Sequence, residues 1–255
     1  MKTIALIISS LFIFTCALAE NPDTGFTATK VIDLTHPLHE GVPYYPGGVP
    51  FRMEQLADYK QDGYRLHKFT MGENTGTHVD APAHFIEGNR SIDEIPLNRL
   101  VAPIVLIDAR AQSRAHSDYR LSVRDIEDWE AGNGQIPTGS LVVMNTGWYE
   151  KFHSMAQYVN MDKDNVMHFP GYSPEAARVL LQRDVAGIGI DTLSLDYGKS
   201  TDFPVHVLML KANKYQIENM ANLDALPEKG ATAVIGVLPV QGGSQAQARI
   251  LAFLP

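Results

Sequence analysis

The sequence predicts an α/β fold, because apolar segments of strand length alternate with segments that carry helix caps. Residues 104–108, 141–148 and 185–190 have the apolar character of buried strands, and polar residues follow or end each of them. Residues 122–129 and 173–181 each begin with a serine suited to the N-cap, and proline follows the second serine directly. In folds of this kind, polar residues at strand ends are the usual builders of a functional site.

The first nineteen residues have the pattern of a secretory signal peptide. Lys2 precedes an apolar core at residues 4–14, and an Ala-x-Ala cleavage site follows. A membrane anchor is the alternative, but the apolar run is shorter than the roughly 20 residues that span a bilayer. A lipoprotein site at Cys16 fits less well, because the residues before it lack the leucine and small side chains of such sites. We therefore expect a periplasmic or secreted protein.

Composition excludes several classes of function. Cys16 is the only cysteine among 255 residues, so cleavage after residue 19 leaves neither a thiol nor a disulfide. Residues 1–19 contain Lys2 and no acid, so their loss changes the net charge from -8 to -9, which argues against a nucleic-acid partner. Since no linker or internal repeat divides residues 20–255, we predict one domain there, with no membrane partner once the signal is cleaved.

The elements before the central motif begin with a short strand at residues 31–34. Residues 43–48 contain two prolines and two glycines, which indicates a rigid turn. Its residues Tyr44 and Tyr45 could form a wall for a flat ligand or a simple surface turn. Residues 64–71 then alternate in the manner of a strand that leads into the motif.

The central motif, residues 74–85, places two imidazoles and a carboxylate close together in the sequence. Alternate side chains of an extended chain share a face, so His78 and Asp80 point the same way, and an extended continuation would add Asn74 and His84. Pro82 makes a helix unfavourable here. We therefore predict a strand that ends in a turn.

Two further candidates lie far along the chain. A proline at position 204 suits a helix start and places His206 in the first turn, while Glu218 falls in a mostly uncharged neighbourhood. Residues 232–240 and 250–254 supply two more apolar segments.

Imidazoles and carboxylates together are suitable ligands for a divalent metal. The motif supplies His78, Asp80 and His84, and His206 and Glu218 could complete the site. Such a metal would activate water and polarise a carbonyl, and an unligated histidine could carry the proton. Lone histidines are more often structural than functional, and we expect this of His36, His39, His67, His153 and His168.

Residues 74–85 resemble the HxGTHxDxPxH motif of the cyclase family of metal-dependent hydrolases, which includes bacterial kynurenine formamidases and isatin hydrolases. Further similar segments follow in the family's order between Asp33 and Arg249: residues 33–35 with 45–47, residues 189–196, His206, and the pair Glu218 and Asn219. The resemblance implies a swivelling β/β/α single domain and a homo-oligomer, either a dimer or a tetramer.

The resemblance also implies a role for each matching residue. His78 and Asp80 would bind a first metal, and Asp80 would be shared with a second metal held by His206 and Glu218. His84 would be the proton donor and acceptor. The substrate-binding residue would be Tyr45, where kynurenine formamidases have a stacking tryptophan.

One position departs from the motif. Asn74 stands where the family's first histidine would bind metal, and an amide oxygen is a weaker donor to zinc than an imidazole. The cofactor is therefore expected to be one or two divalent ions, Mn²⁺ or Zn²⁺, with a shift toward manganese or a single ion.

These observations together predict an exported metal-dependent hydrolase that cleaves an amide-type bond, such as a cyclic amide or an aryl-formamide, in a small molecule. One competing hypothesis is an iron(II) oxygenase that uses His78, Asp80 and His206, although this would leave His84 and Glu218 without a role. The other is a non-enzymatic periplasmic protein that binds a metal or ligand.

Overall fold

The structure is a computed structural model that describes residues 28–255, so the signal peptide predicted at residues 1–19 lies outside the described residues. The strands are β1 (Lys30–Asp33), β2 (Arg52–Ala57), β3 (Leu66–Thr70), β4 (His78–Asp80), β5 (Val101–Asp108), β6 (Arg120–Leu121), β7 (Leu141–Asn145), β8 (Gly171–Tyr172), β9 (Gly187–Ile190), β10 (Tyr215–Glu218), β11 (Thr232–Val237) and β12 (Gln245–Leu254). The helices are α1 (Arg110–Ala115), α2 (Val123–Asn133), α3 (Met155–Val159), α4 (Pro174–Gln182) and α5 (Pro204–Lys211). Within residues 28–255, none of the helices combines the length and apolar character needed to cross a membrane.

Eight strands form the main sheet, in the order β1-β12-β11-β5-β7-β9-β10-β4. The neighbours β5, β7, β9 and β10 are parallel, whereas β1, β12 and β11 are antiparallel. Strand β4 pairs with β10 on one side and with the start of β12 on the other, so the pairings close into a ring. The predicted α/β fold is confirmed.

The parallel strands bury side chains on both of their faces. In β5, Ile104 and Leu106 pack inside the ring with Ile217, while Val105 and Ile107 face the helices α2, α4 and α5. Burial on both sides explains the continuous apolar runs of these strands in the sequence.

The two predicted serine caps are confirmed. Ser122 accepts a hydrogen bond from Asp125 N, and the Asp125 side chain accepts one from Ser122 N, which forms a capping box at the start of α2. Ser173 caps α4, and Pro174 occupies its first turn.

Three predicted elements differ from the structure. The strand predicted at residues 64–71 is the second arm of an exposed hairpin, β2–β3, and begins only at Leu66. Strand β12 begins at Gln245, five residues before the predicted apolar segment, because pairing with β4 extends it. The motif strand β4 is short, so Asn74 and His84 do not continue its extended face. Before the strand, Gly76 has a φ of +73° and turns the chain away from Asn74. After it, His84 lies in a 3-10 turn that begins at Pro82.

Candidate metal centre

Three candidate ligands come from neighbouring strands. His78 and Asp80 are fully buried on β4, where they lie on the same side of the strand as predicted. Glu218 is the last residue of β10 and is the register partner of His78. Side chains of such cross-strand pairs are close enough to touch, so the sheet itself brings Glu218 to the motif.

Helix α5 brings the fourth candidate, His206, to the same place. Asp196 accepts hydrogen bonds from Val205 N (2.9 Å) and His206 N (3.1 Å), so it satisfies the first turn of the helix. Phe203, before the helix, has a φ of +48°, a left-handed conformation that is unfavourable for a bulky residue. Strain of this kind is common where a chain is held in place for function.

The four side chains converge in pairs. His78 Nε2 lies 3.3 Å from Asp80 Oδ1 and 3.3 Å from Glu218 Oε2. His206 Nε2 lies 3.1 Å from Glu218 Oε1 and 3.5 Å from Asp80 Oδ2. Each carboxylate therefore presents one oxygen to each imidazole, an arrangement that could hold one cation or two adjacent cations.

The bonding at this cluster fits a metal ion. Among residues 28–255, His78 Nε2 and Asp80 Oδ2 are buried polar atoms without a hydrogen-bond partner. Buried polar atoms are normally satisfied, so two unsatisfied atoms in one cluster indicate that a ligand belongs there. A set of imidazole nitrogens and carboxylate oxygens suits zinc or manganese.

The outer nitrogens of both imidazoles are fixed by the protein. His78 Nδ1 lies 2.8 Å from Gly76 O, and a carbonyl can only accept, so Nδ1 carries a proton and Nε2 is the nitrogen that can offer its lone pair to a metal. His206 Nδ1 lies 2.7 Å from Asp196 Oδ2 and is oriented in the same way. Such partners hold a metal-binding histidine in the correct tautomer.

Charges inside the cluster strongly shift the pKa values of its side chains. Burial lowers the pKa of His78, but contacts with Asp80 and Glu218 outweigh burial and raise this pKa to about 10. Burial raises the pKa of Asp80, but contacts with His206 and His78 hold this pKa well below its usual range. Protons on the imidazoles thus balance the buried carboxylates, and a bound metal would replace them.

A cavity of about 220 Å³ opens beside the cluster. Phe85, Phe203 and Leu193 give it apolar walls, and His206 and Glu218 reach it from the cluster. An aromatic-lined cavity with a few polar groups is suited to a small, flat molecule.

His84, Tyr45 and Asn74 also line this cavity, so the structure brings every predicted site residue to one place. His84 is the last residue of a 3-10 turn (Pro82–His84) and meets the Phe85 ring edge-on at 4.7 Å. Burial holds the pKa of His84 below 6.5, so the imidazole is neutral at pH 7. Burial raises the pKa of Tyr45, whose phenol therefore stays protonated. Asn74 reaches the cavity from the turn before β4 rather than from the strand.

Sequence reasoning assigned no role to several residues that support the cluster. Gln245 Nε2 donates a 2.6 Å hydrogen bond to Asp80 Oδ1, and Gln245 is the register partner of Asp80 on β12. Tyr158 Oη is 2.9 Å from Asn219 Oδ1, and Asn219 Nδ2 donates to Gly76 O, the acceptor of His78. Asp196 lay within the predicted strand-end segment, but no local sequence pattern predicted its hydrogen bonds with His206.

Two histidines expected to be structural lie apart from the cluster. His36 stacks on Phe152 with 3.7 Å between ring centroids. His168 is held between Asp118 and Asp162 at the surface.

Known proteins are similar to this chain in sequence and fold. The Cyclase family model matches residues 32–197. The isatin hydrolase of Roseibium aggregatum is 32% identical over 238 residues, which cover 89% of this chain and 90% of that protein. A kynurenine formamidase of Paracidovorax citrulli is 25% identical and covers 79% of this chain and 86% of its own length. The structure of isatin hydrolase A from Ralstonia solanacearum is 36% identical, with a TM-score of 0.84 over 89% of this chain and 92% of its own.

The family match spans more than half of the chain, and the Roseibium relative is aligned along most of both sequences. The motif residues that suggested the resemblance lie together in the cluster and its cavity. On this evidence the chain belongs to the Cyclase family.

Proposed function

We propose that the protein hydrolyses an amide-type C–N bond in a small cyclic or aryl-substituted molecule, at a metal held by His78, Asp80, His206 and Glu218. The reaction class, metal-dependent amide hydrolysis, is that of its relatives, the isatin hydrolase and the kynurenine formamidases. The observation that carries the proposal is the convergence of these four buried side chains, with unsatisfied atoms, beside an aromatic-lined cavity.

When bound, a divalent metal lowers the pKa of a water ligand and polarises the substrate carbonyl. Hydrolysis forms a C–O bond, breaks the C–N bond and moves one proton from water to the departing nitrogen. His84 is the residue placed to carry that proton, because its imidazole lines the cavity, is neutral at pH 7 and lies 6.1 Å, between ring centroids, from His206. Glu218 and Asp80 would hold the metal, so neither carboxylate would be free to act as the base.

The substrate binds against the aromatic walls. Tyr45, Phe85 and Phe203 surround the cavity, and their rings favour a flat, conjugated amide over an aliphatic one. Isatin is a flat cyclic amide and N-formylkynurenine is an aryl-formamide, so these two compounds represent the two proposed classes of substrate.

The metal is manganese or zinc, as one ion or two. Asn74 lines the cavity, and an amide at this position weakens a zinc site more than a manganese site. We favour a single manganese ion.

The test follows hydrolysis of isatin and of N-formylkynurenine by purified protein, before and after chelation, and after adding Mn²⁺ or Zn²⁺. Hydrolysis that is lost on chelation and restored by one of the metals supports the proposal. His84→Gln should lose activity, whereas the matched control His153→Gln, at an exposed histidine, should keep it. Oxygen consumption with a keto acid would indicate the iron(II) oxygenase instead, and tight ligand binding without turnover would indicate a binding protein.

We also propose that the protein is exported and forms a homodimer or homotetramer. The hairpin β2–β3 supports oligomerisation, because Met53, Leu56 and Phe69 are each about half exposed on it, at 50%, 53% and 58%. Light scattering of the chain without residues 1–19 should give twice or four times the monomer mass, and a monomer would contradict this. Recovery of the protein only from the cytoplasm would contradict export.

A further inference from the structure

A second cavity, of about 430 Å³, lies at the carboxyl ends of β5 and β7 and shares no residue with the metal cavity. Its wall includes Arg110 and Arg114 from α1, and Trp148, Glu150 and Lys151 from the 3-10 turn after β7. We call this space the basic cavity. The carboxyl ends of parallel strands are the usual place for ligands in α/β sheets.

Two of its cations form no ion pair among residues 28–255. Arg110 is neutralised by Asp108, to which its Nε and Nη2 donate at 2.9 Å and 2.7 Å. The ion pairs formed among residues 28–255 leave Arg114 and Lys151 without a carboxylate partner. Among the described residues that line the wall, Glu150 is the one acid, so the cavity is basic in a protein of net charge -8.

Lys151 is held at this position without a salt bridge. Its Nζ lies 3.0 Å from the centroid of the Trp148 ring, and its side chain is partly buried. Burial lowers the pKa of Lys151, and the negative charges of Asp191 and Glu150 offset only part of this effect. Contact with the indole face compensates part of that cost, and an anion would compensate the rest.

A neutral hydrogen-bonding group on the same wall is also unsatisfied. Ser113 is 3% exposed, and its Oγ has no hydrogen-bond partner among residues 28–255. Ser113 lines the cavity from α1, close in sequence to Arg114. A buried hydroxyl without a partner costs free energy, so an acceptor in the cavity would stabilise it.

We propose that the basic cavity is a second binding site, for a small organic anion with two acidic groups. Arg114 and Lys151 pair with the acidic groups, Ser113 Oγ donates a hydrogen bond, and Trp148 holds the Lys151 ammonium in position. The volume is ample for a ring or short chain carrying two carboxylates or phosphates.

The test uses benzene-1,3-disulfonate, because sulfonates are too weakly basic to bind at the metal centre. The chain has two tryptophans, and Trp129→Phe leaves Trp148 as the fluorophore. Titration of the metal-loaded protein should quench Trp148 fluorescence with saturation and a Kd below about 1 mM. Benzenesulfonate, with one acidic group, should bind about tenfold more weakly, since one charge-assisted contact is lost.

Variants separate specific binding from general charge effects. Arg114→Gln and Lys151→Gln should each weaken binding about tenfold, and Glu150→Gln should tighten it by roughly twofold to fivefold because it removes a repulsive charge. Arg124→Gln makes an equal charge change at an exposed residue of α2 and should leave the Kd unchanged. Tighter binding by the Glu150 variant cannot result from misfolding. Failure to saturate at about 10 mM, or equal effects of the Arg114 and Arg124 variants, would overturn the proposal.

Discussion

Asp196→Asn tests how the protein holds His206. The Asp196 carboxylate accepts three hydrogen bonds, from Val205 N at 2.9 Å, His206 N at 3.1 Å and His206 Nδ1 at 2.7 Å. Asparagine has one acceptor oxygen, and its best orientation turns that oxygen to the two groups of His206. The amide nitrogen then faces Val205 N, and two donors meet.

The expected loss of stability and metal affinity follows from these hydrogen bonds. One buried donor left unsatisfied costs about 1–3 kcal/mol of unfolding free energy. Loss of the negative charge next to His206 Nδ1 makes the imidazole a weaker electron donor to a metal at Nε2. Changes of this kind lower metal affinity about 10–100-fold. Asp196 is only 2% exposed, so water cannot replace the lost contact.

The assay is a metal titration against a competing fluorescent chelator, with urea unfolding of the chelated protein alongside. The matched control is Asp202→Asn, an exposed aspartate close to α5, whose stability should stay within about 0.5 kcal/mol of the parent. If Asp196→Asn changed metal affinity no more than Asp202→Asn does, the role assigned to the Asp196–His206 pair would be refuted.

Three further predictions concern the same region. His84→Gln should lower kcat about 10²–10⁴-fold with metal affinity retained. It should also remove the fall in kcat/KM at acidic pH. In the parent protein this fall lies below pH 6.5, because burial lowers the pKa of His84 and protonation of the imidazole removes the base. A variant that keeps this fall would count against His84. Tyr158→Phe should cost about 1–3 kcal/mol in urea unfolding, because Asp191 O and Asn219 Oδ1 lose their shared donor; an unchanged midpoint would show that neither acceptor depends on it. Asn74→His should strengthen Zn²⁺ binding more than Mn²⁺ binding in the chelator competition, since imidazole is the better zinc donor; equal or weaker binding of both ions would place Asn74 away from the metal.

Local sequence patterns predicted those parts of the fold that depend on interactions between residues close together in the chain. Ser122 and Ser173 were recognisable as caps because their hydrogen bonds close within three residues. His78 and Asp80 share a face because strand geometry requires it. The distant residues His206 and Glu218 were candidates by residue type alone, and the family resemblance assigned them to the metal site. The structure brings His206 Nε2 within 3.1 Å of Glu218 Oε1.

Contacts set by tertiary register could not be predicted in this way. Gln245 follows a glycine-rich turn and has no apolar pattern, yet β12 pairing places it opposite Asp80. Hairpin strand β2 is exposed along most of its length, so no buried face marks it in the sequence. Asn74 was expected on the extended face of the motif, but the positive φ of Gly76 redirects the chain.

Anomalous diffraction at the metal absorption edge, from crystals of protein loaded with Mn²⁺, is the most direct test of the central claim. We predict a peak among His78 Nε2, His206 Nε2 and the carboxylates of Asp80 and Glu218, where the four side chains converge. A second ion, if bound, would share the same two carboxylates. No peak at this position, or a peak only at the surface cluster around His168, would contradict the assignment of the metal centre.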